Sequence, residues 1–301
     1  MPPWPEPLAR AYAACEALAR SHYENFPVAS ALLPAPMRPH VAAVYAFARL
    51  ADDIADQGSA TPAERQAELR VWQDRLHLAA AGSIAEPGAN GRGSTRDDLI
   101  TFALAHSMRS LDLPVTLFDD LLSAFGQDTM TKRYASWADV FDYCRRSANP
   151  IGRLVLRIAG YREAALEGSS DALCTALQLT NFWQDFGRDW RVGRLYVPRD
   201  EQVRAGACED ELAAGCMTAA WSRALEGCIE VTRAKFDEGR SVCDKLTGRL
   251  RMELRLTWLG GVRVLDRVER RRMVLLDDRP TLGAADVPVL AWQALRWRTR
   301  S

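Results

Sequence analysis

Apolar residues recur at intervals of three and four along nearly the whole chain, and no stretch alternates apolar with polar long enough to make a half-buried strand. A chain of 301 residues patterned this way has to bury helix faces against one another, so the fold class it predicts is all-α. The spacing predicts helices over 6–24, 38–57, 62–81, 96–111, 114–126, 136–160, 169–190, 211–246 and 249–276. Pro34, Pro36 and Pro39 punctuate the approach to the second of these, and Asp56-Gln57-Gly58 ends it. Thr61-Pro62 gives the third a cap and a first-turn proline. Residues 82–95, rich in Gly, Ser and Ala, read as an exposed, mobile loop and not as a domain boundary. Residues 280–301 read as a tail, and the whole of 1–301 as a single domain.

Composition removes several function classes. Lys+Arg and Asp+Glu balance at 39 each, which argues against a broad nucleic-acid surface while leaving room for a local basic pocket and an acidic small molecule. The seven cysteines are scattered, with no Cys-x-x-Cys, and read as free thiols of a reduced, cytoplasmic protein. The N-terminus has early prolines and Glu6 in place of a basic-then-apolar signal. No apolar run reaches the ~20 residues that span a bilayer. The expectation is a cytoplasmic protein, at most peripheral to the inner face of the membrane. From Val287 to Arg298 the tail mixes Trp292, Trp297 and leucines with Arg296 and Arg298. Packing on the helices is the first reading of that segment, and contact with a membrane surface the second.

Two aspartate pairs carry the chemistry. In Tyr45-Ala-Phe-Ala-Arg-Leu-Ala-Asp-Asp-Ile-Ala-Asp56, Asp52 and Asp56 are four apart and share a helix face, with Asp53 pointing elsewhere. In Gln178-Leu-Thr-Asn-Phe-Trp-Gln-Asp-Phe-Gly-Arg-Asp189, Asp185 and Asp189 repeat the spacing, and Asn181 lies one turn earlier. Like charges at i, i+4 repel by a few tenths of a kcal/mol, roughly, on an isolated helix, so a cation should offset them. Mg²⁺ suits: it takes hard oxygen ligands and is usually held by one or two carboxylates plus substrate phosphate. Two such helices facing each other would clamp a diphosphate and neutralise it as a leaving group. The adjacent pairs Asp97-Asp98, Asp119-Asp120 and Asp277-Asp278 lack the spacing and read as solvated.

These segments resemble the squalene/phytoene synthase family. The first is similar to that family's Asp-Asp-x-x-Asp motif preceded by Tyr-x-x-x-Arg, the second to its Gln-Leu-Thr-Asn-x-x-x-Asp-x-x-x-Asp. Tyr143-Cys144 ahead of Pro150-Ile151-Gly152 matches a helix broken near its middle, and Gly193-Arg194-Leu195-Tyr196-Val197-Pro198 matches the segment after the second motif. The resemblance implies an isoprenoid synthase helical bundle around a central cavity. It implies Asp52, Asp56, Asn181, Asp185 and Asp189 as Mg²⁺ ligands, with Tyr143 also catalytic. Tyr45, Arg49, Asn181, Arg194 and Tyr196 would bind diphosphate, and Tyr23, Asn25, Phe26, Gln178 and Phe182 would line the substrate cavity. An arginine pairing only with Asp52 or Asp53, and tyrosines that only pack, are the alternatives for Arg49, Tyr143 and Tyr196.

Where family members carry serines before a phenylalanine, this chain reads Ser21-His22-Tyr23-Glu24-Asn25-Phe26-Pro27-Val28-Ala29-Ser30, and Gln184 stands where many relatives have arginine. The first of these resembles the bacterial hydroxysqualene synthase branch of hopanoid and squalene biosynthesis. That branch implies Mg²⁺-dependent ionisation of presqualene diphosphate and a water quench without NADPH, with Tyr23, Glu24 or Asn25 positioning the water. A presqualene diphosphate synthase and a flavin-dependent, squalene-forming reductase would be its pathway partners. The same aspartates would serve head-to-head condensation of farnesyl diphosphate or another prenyl diphosphate, and a catalytically silent helical interaction protein is the reading from outside the enzymes.

Overall fold

The structure, a computed structural model, describes residues 4–21, 32–88 and 94–299. Its helices are α1 (Glu6–Ser21), α2 (Arg38–Asp56), α3 (Pro62–Ala80), α4 (Arg96–Leu111), α5 (Val115–Asp128), α6 (Trp137–Ser147), α7 (Asn149–Ile158) and α8 (Ala164–Gln184). They continue as α9 (Phe186–Arg191), α10 (Arg199–Ala205), α11 (Glu209–Ala213), α12 (Ala219–Gly239), α13 (Val242–Lys245), α14 (Gly248–Arg270) and α15 (Asp286–Leu295). The described residues hold no strand, only an isolated parallel bridge between Arg133 and Leu195, so the all-α class stands. All seven cysteines are free thiols. None of the described helices is long and apolar enough to cross a membrane.

Several long predicted helices are divided, each for a local reason. The 136–160 stretch breaks at Ala148, because Pro150 has no N–H to continue the helical ladder. The 169–190 stretch turns at Asp185, which joins α8 to α9. The 211–246 stretch stops at Gly215, whose φ of 73° no helix uses, and restarts after Thr218 accepts the Trp221 N–H. The 249–276 stretch tightens after Arg270 into a 3₁₀ turn, Arg272–Val274. Residues 280–301 contain α15 and are not simply a tail. Within 82–95 the described residues carry no helix, and 89–93 lie outside the description.

The chain forms two compact units, residues 1–130 with 150–162 and residues 131–149 with 163–301. In the first, α2 is packed against α1, α3, α4 and α5. Phe47, fully buried, stacks on Trp72 at 5.2 Å and meets Phe118 edge-on at 5.6 Å. Burying such a ring contributes about 1.5–3 kcal/mol, which fixes the rotation of α2 about its axis. A buried polar group lies between α1, α2 and α4: the Tyr12 hydroxyl meets His40 Nδ1 at 3.1 Å, His106 Nδ1 at 2.9 Å and Ser107 Oγ at 2.9 Å. In the second unit, α8 packs on α12 and α14. Its buried Trp183 donates from Nε1 to Thr232 Oγ1 at 2.8 Å. That bond and the surrounding apolar contacts set which face of α8 turns away from its neighbours.

The adjacent aspartate pairs stay partly or largely exposed, though several also take partners. Asp98 closes a capping box with Thr95 and pairs with Arg75 at 3.1 Å. Asp119 accepts from Gln73 and His77, and Asp278 is bonded by Arg271.

Candidate functional site

On α2 the burial of Phe47 forces Tyr45, Arg49, Asp52 and Asp56 onto the opposite side, since residues at these intervals share a face at 100° per residue. Arg49 organises that face. Its guanidinium donates to Asp53 Oδ1 at 2.5 Å and lies 3.4 Å from Asp52 Oδ2. Asp53 therefore does not point elsewhere: at i+4 from Arg49 it holds the guanidinium that Asp52 also touches. Gln57 donates to the same Asp53 oxygen. Arg49 Nε is buried and finds no acceptor among the described residues. Burial alone would weaken the guanidinium's charge, but the Asp53 hydrogen bond and the two carboxylates outweigh it and hold Arg49 cationic. Burial raises the Tyr45 phenol, with Asp52 and Asp53 adding to the effect against Arg49. Arg65 fastens the end of α2 through the carbonyls of Ile54, Gly58 and Ala60.

The second acidic pair sits on the α8–α9 junction. Although Asp185 interrupts the helix, its N–H reaches Asn181 O at 2.8 Å and its carbonyl accepts from Asp189 N at 2.9 Å. The helical ladder thus runs through the turn and keeps Asn181, Asp185 and Asp189 on one side. Asn181 Nδ2 donates to Asp185 Oδ2 at 2.8 Å. Arg279 grips Asp185 with both arms, Nε to Oδ1 and Nη2 to Oδ2, the latter at 3.1 Å. This fork-on-carboxylate geometry is the strongest form of such a pair. Gln184 donates to the Pro280 carbonyl at 2.6 Å, which holds the Arg279 segment in place. A cation therefore does reach the second motif, from Arg279 and not from position 184.

Tyr143, Phe182 and Tyr196 are buried together. Phe182 and Tyr196 stack at 3.7 Å, and Tyr143 lies 6.0 Å from Phe182 and 6.2 Å from Tyr196. Tyr134 completes the group, stacked 5.6 Å from Tyr196. The Arg194–Tyr196 segment is pinned from its backbone: Arg194 N donates to Asp189 O at 2.7 Å, and Leu195 N to Lys132 O at 3.0 Å. Gln178 is half-buried one turn before Asn181. Trp183 and Phe186 are core residues. Tyr23, Glu24, Asn25 and Phe26 lie outside the described residues.

Arg279 and Tyr134 are the residues that sequence reasoning missed, while the pairing of Arg49 with Asp52 and Asp53 is the alternative it offered for Arg49. Asp53 had a readable signal, its i+4 spacing from Arg49. Nothing in the sequence marked Arg279, which is 94 positions from its partner.

Each acidic pair fits a divalent cation in part. The described residues contain no cluster of three His, Cys, Asp or Glu side chains that would cage an ion. Mg²⁺ does not require one, because it keeps waters and takes substrate phosphate beside one or two carboxylates. The donors are hard oxygens, and the orphaned Arg49 Nε offers a bond to an anionic oxygen beside Asp52.

The squalene/phytoene synthase family model matches residues 19–286. A hydroxysqualene synthase of Zymomonas mobilis is 40% identical over 191 residues, covering 63% of this chain and 59% of that protein. The match thus spans about three-fifths of that relative. A hydroxysqualene synthase of Rhodopseudomonas palustris is 32% identical over 250 residues, covering 82% of this chain and 80% of that one. Among solved structures, the squalene synthase HpnC from Alicyclobacillus acidocaldarius superposes with a TM-score of 0.80 at 36% identity, covering 89% of this chain and 97% of that one.

Proposed function

Because this chain belongs to the squalene/phytoene synthase family, we propose that it converts presqualene diphosphate and water into hydroxysqualene and diphosphate. One observation supports this reading above the others. In a chain resembling hydroxysqualene synthases, each Asp-x-x-x-Asp pair has a carboxylate touched by an arginine, Asp52 by Arg49 and Asp185 by Arg279.

Magnesium, when bound by Asp52 and Asp56 and by Asn181, Asp185 and Asp189, would neutralise the diphosphate as the carbon–oxygen bond breaks. The chain's own residues do the rest. Arg49, aimed by Asp53, donates its unpartnered Nε–H to a phosphate oxygen. Tyr45 and Arg194 add donors to the same anion. Arg279 keeps Asp185 oriented between turnovers. Tyr143, Phe182 and Tyr196 would place aromatic rings beside the positive charge left on the hydrocarbon. Gln178, Tyr23, Asn25 and Phe26 would line the substrate cavity, with Tyr23, Glu24 or Asn25 positioning the quenching water. The water's oxygen bonds to the carbon cation and its proton leaves to solvent, so no NADPH is consumed. A condensing presqualene diphosphate synthase would supply the substrate in the cytoplasm, and a flavin-dependent reductase would remove the hydroxyl afterwards.

The test is product identification by mass spectrometry after incubation with Mg²⁺ and no NADPH, with presqualene diphosphate and farnesyl diphosphate offered separately. Hydroxysqualene from presqualene diphosphate alone is the expected outcome. Condensed C30 product from farnesyl diphosphate would move the chain to the condensing branch. Turnover of neither would end the enzymatic reading.

A further inference from the structure

Helix α15 wears its polarity inside out. Its one charged residue, Asp286, is 3% exposed and accepts from Arg263 at 2.6 Å, Arg267 at 2.7 Å and the Gly283 N–H at 2.7 Å. Leu290 and Ala294 follow it down the same face and are buried as α15 packs on α14. Its only other polar side chain, Gln293, is half-buried beside them. The side turned to solvent is left with Pro288, Ala291, Trp292 and Leu295, flanked by Val287 and Val289. Trp292 is 55% exposed, Val287 63% and Leu295 74%. A surface helix ordinarily shows the reverse arrangement.

Charge marks what covers this face. From Val287 to the last residue the chain carries Arg296, Arg298 and Arg300 and no acidic residue. Arg296 lies 4.8 Å over the Trp292 ring, so a cation and an exposed indole share the rim of the apolar stripe. Trp297 is fixed inward, its Nε1 donating to Asp244 at 2.7 Å. A helix of ten residues is about 15 Å long, and its outer face falls far short of the roughly 800 Å² per partner that a stable protein interface needs. An apolar helix face with a cationic rim is what an anionic bilayer surface binds, by shallow insertion plus headgroup attraction.

We propose that α15 docks the protein on an anionic phospholipid surface, with Trp292 and Leu295 inserted and Arg296 and Arg298 among the headgroups. The inference stands on α15 and does not depend on the reaction assigned above, though a lipid-derived substrate would be met at that surface. The test is flotation of the full chain with vesicles of phosphatidylcholine alone or with about a third phosphatidylglycerol, in the absence of substrate. Wild type should float with the anionic vesicles, less so at high salt. Trp292→Ser/Leu295→Glu should weaken binding at least tenfold or so while melting like wild type, because both side chains point to solvent. Arg296→Gln/Arg298→Gln should lose the preference for anionic lipid. Failure of wild type to bind either vesicle, or equal binding by Trp292→Ser/Leu295→Glu, would overturn the proposal. So would a dimer in sedimentation equilibrium that Leu295→Glu dissolves without any vesicle binding, which would give the face to a second copy of the chain.

Discussion

Replacing Gly187 with alanine should damage the fold and the second acidic pair together. Gly187 lies in α9 between Asp185 and Asp189, and a Cβ there would stand 2.2 Å from Leu276 O and 2.6 Å from Leu275 O. Ordinary contact begins at 3.4 Å, so one segment must move by about an ångström, and both obstacles are backbone. The segment displaced is the one that carries Arg279 onto Asp185, Pro280 onto Gln184, and the Leu276 carbonyl that accepts from Arg191 at 2.6 Å. Overpacking costs about 1–3 kcal/mol, and a contact between backbones belongs at the upper end. Weakened charge-assisted hydrogen bonds add roughly another 1 kcal/mol, discounted for their partial exposure. The helical preference of alanine over glycine returns about 1 kcal/mol. The net is about 3 kcal/mol, or roughly 5 °C in melting temperature for a chain of this size. Thermal melts by circular dichroism measure it directly. Gly168→Ala in α8 is the control: its Cβ meets nothing within 4 Å, so it should gain up to about 1 kcal/mol. A Gly187→Ala protein melting at or above wild type would refute the close approach of α9 to residues 275–276.

Three other outcomes follow from the same geometry. Burial, with His106 beside it, lowers His40 to about 4, so between the ordinary histidine value near 6.5 and pH 4 the unfolded chain takes up a proton that the folded chain refuses. Stability should therefore fall as pH drops through that window, and His40→Gln should flatten the slope of urea midpoint against pH; parallel slopes would remove His40 as the cause. Arg49→Lys keeps the charge but loses the fork, and a charge-assisted hydrogen bond of about 1.5–3 kcal/mol corresponds to about ten- to hundredfold in kcat/KM. Chelation with EDTA should stop turnover yet leave the melting temperature within about 2 °C, since each acidic pair already has an arginine against one carboxylate.

The all-α class was legible because one period governs almost the whole chain, and Asp52, Asp56, Asp185 and Asp189 were legible because their spacing is helical. Helix ends were harder. Asp185 keeps both backbone bonds of a helix, so nothing in the residue pattern reports the turn that divides α8 from α9. Gly215 and Thr218 did carry stop and start signals, but the apolar period continues across them. Arg279 was invisible because its role comes from a contact between distant segments, made by the backbone fit of Gly187 under residues 275–276. In α15 no residue spacing marks Asp286 as buried, and its bonds to Arg263 and Arg267 show which face the helix turns inward.

The central claim is that both acidic pairs act on one ionising diphosphate whose hydrocarbon is then captured by water. Its most direct measurement is turnover of presqualene diphosphate in ¹⁸O-enriched water by wild type, Asp52→Asn and Asp185→Asn. The account predicts one ¹⁸O in the hydroxysqualene formed by wild type, and loss of product in either variant despite native melting. Full activity in either variant, or hydroxysqualene without the label, would contradict it.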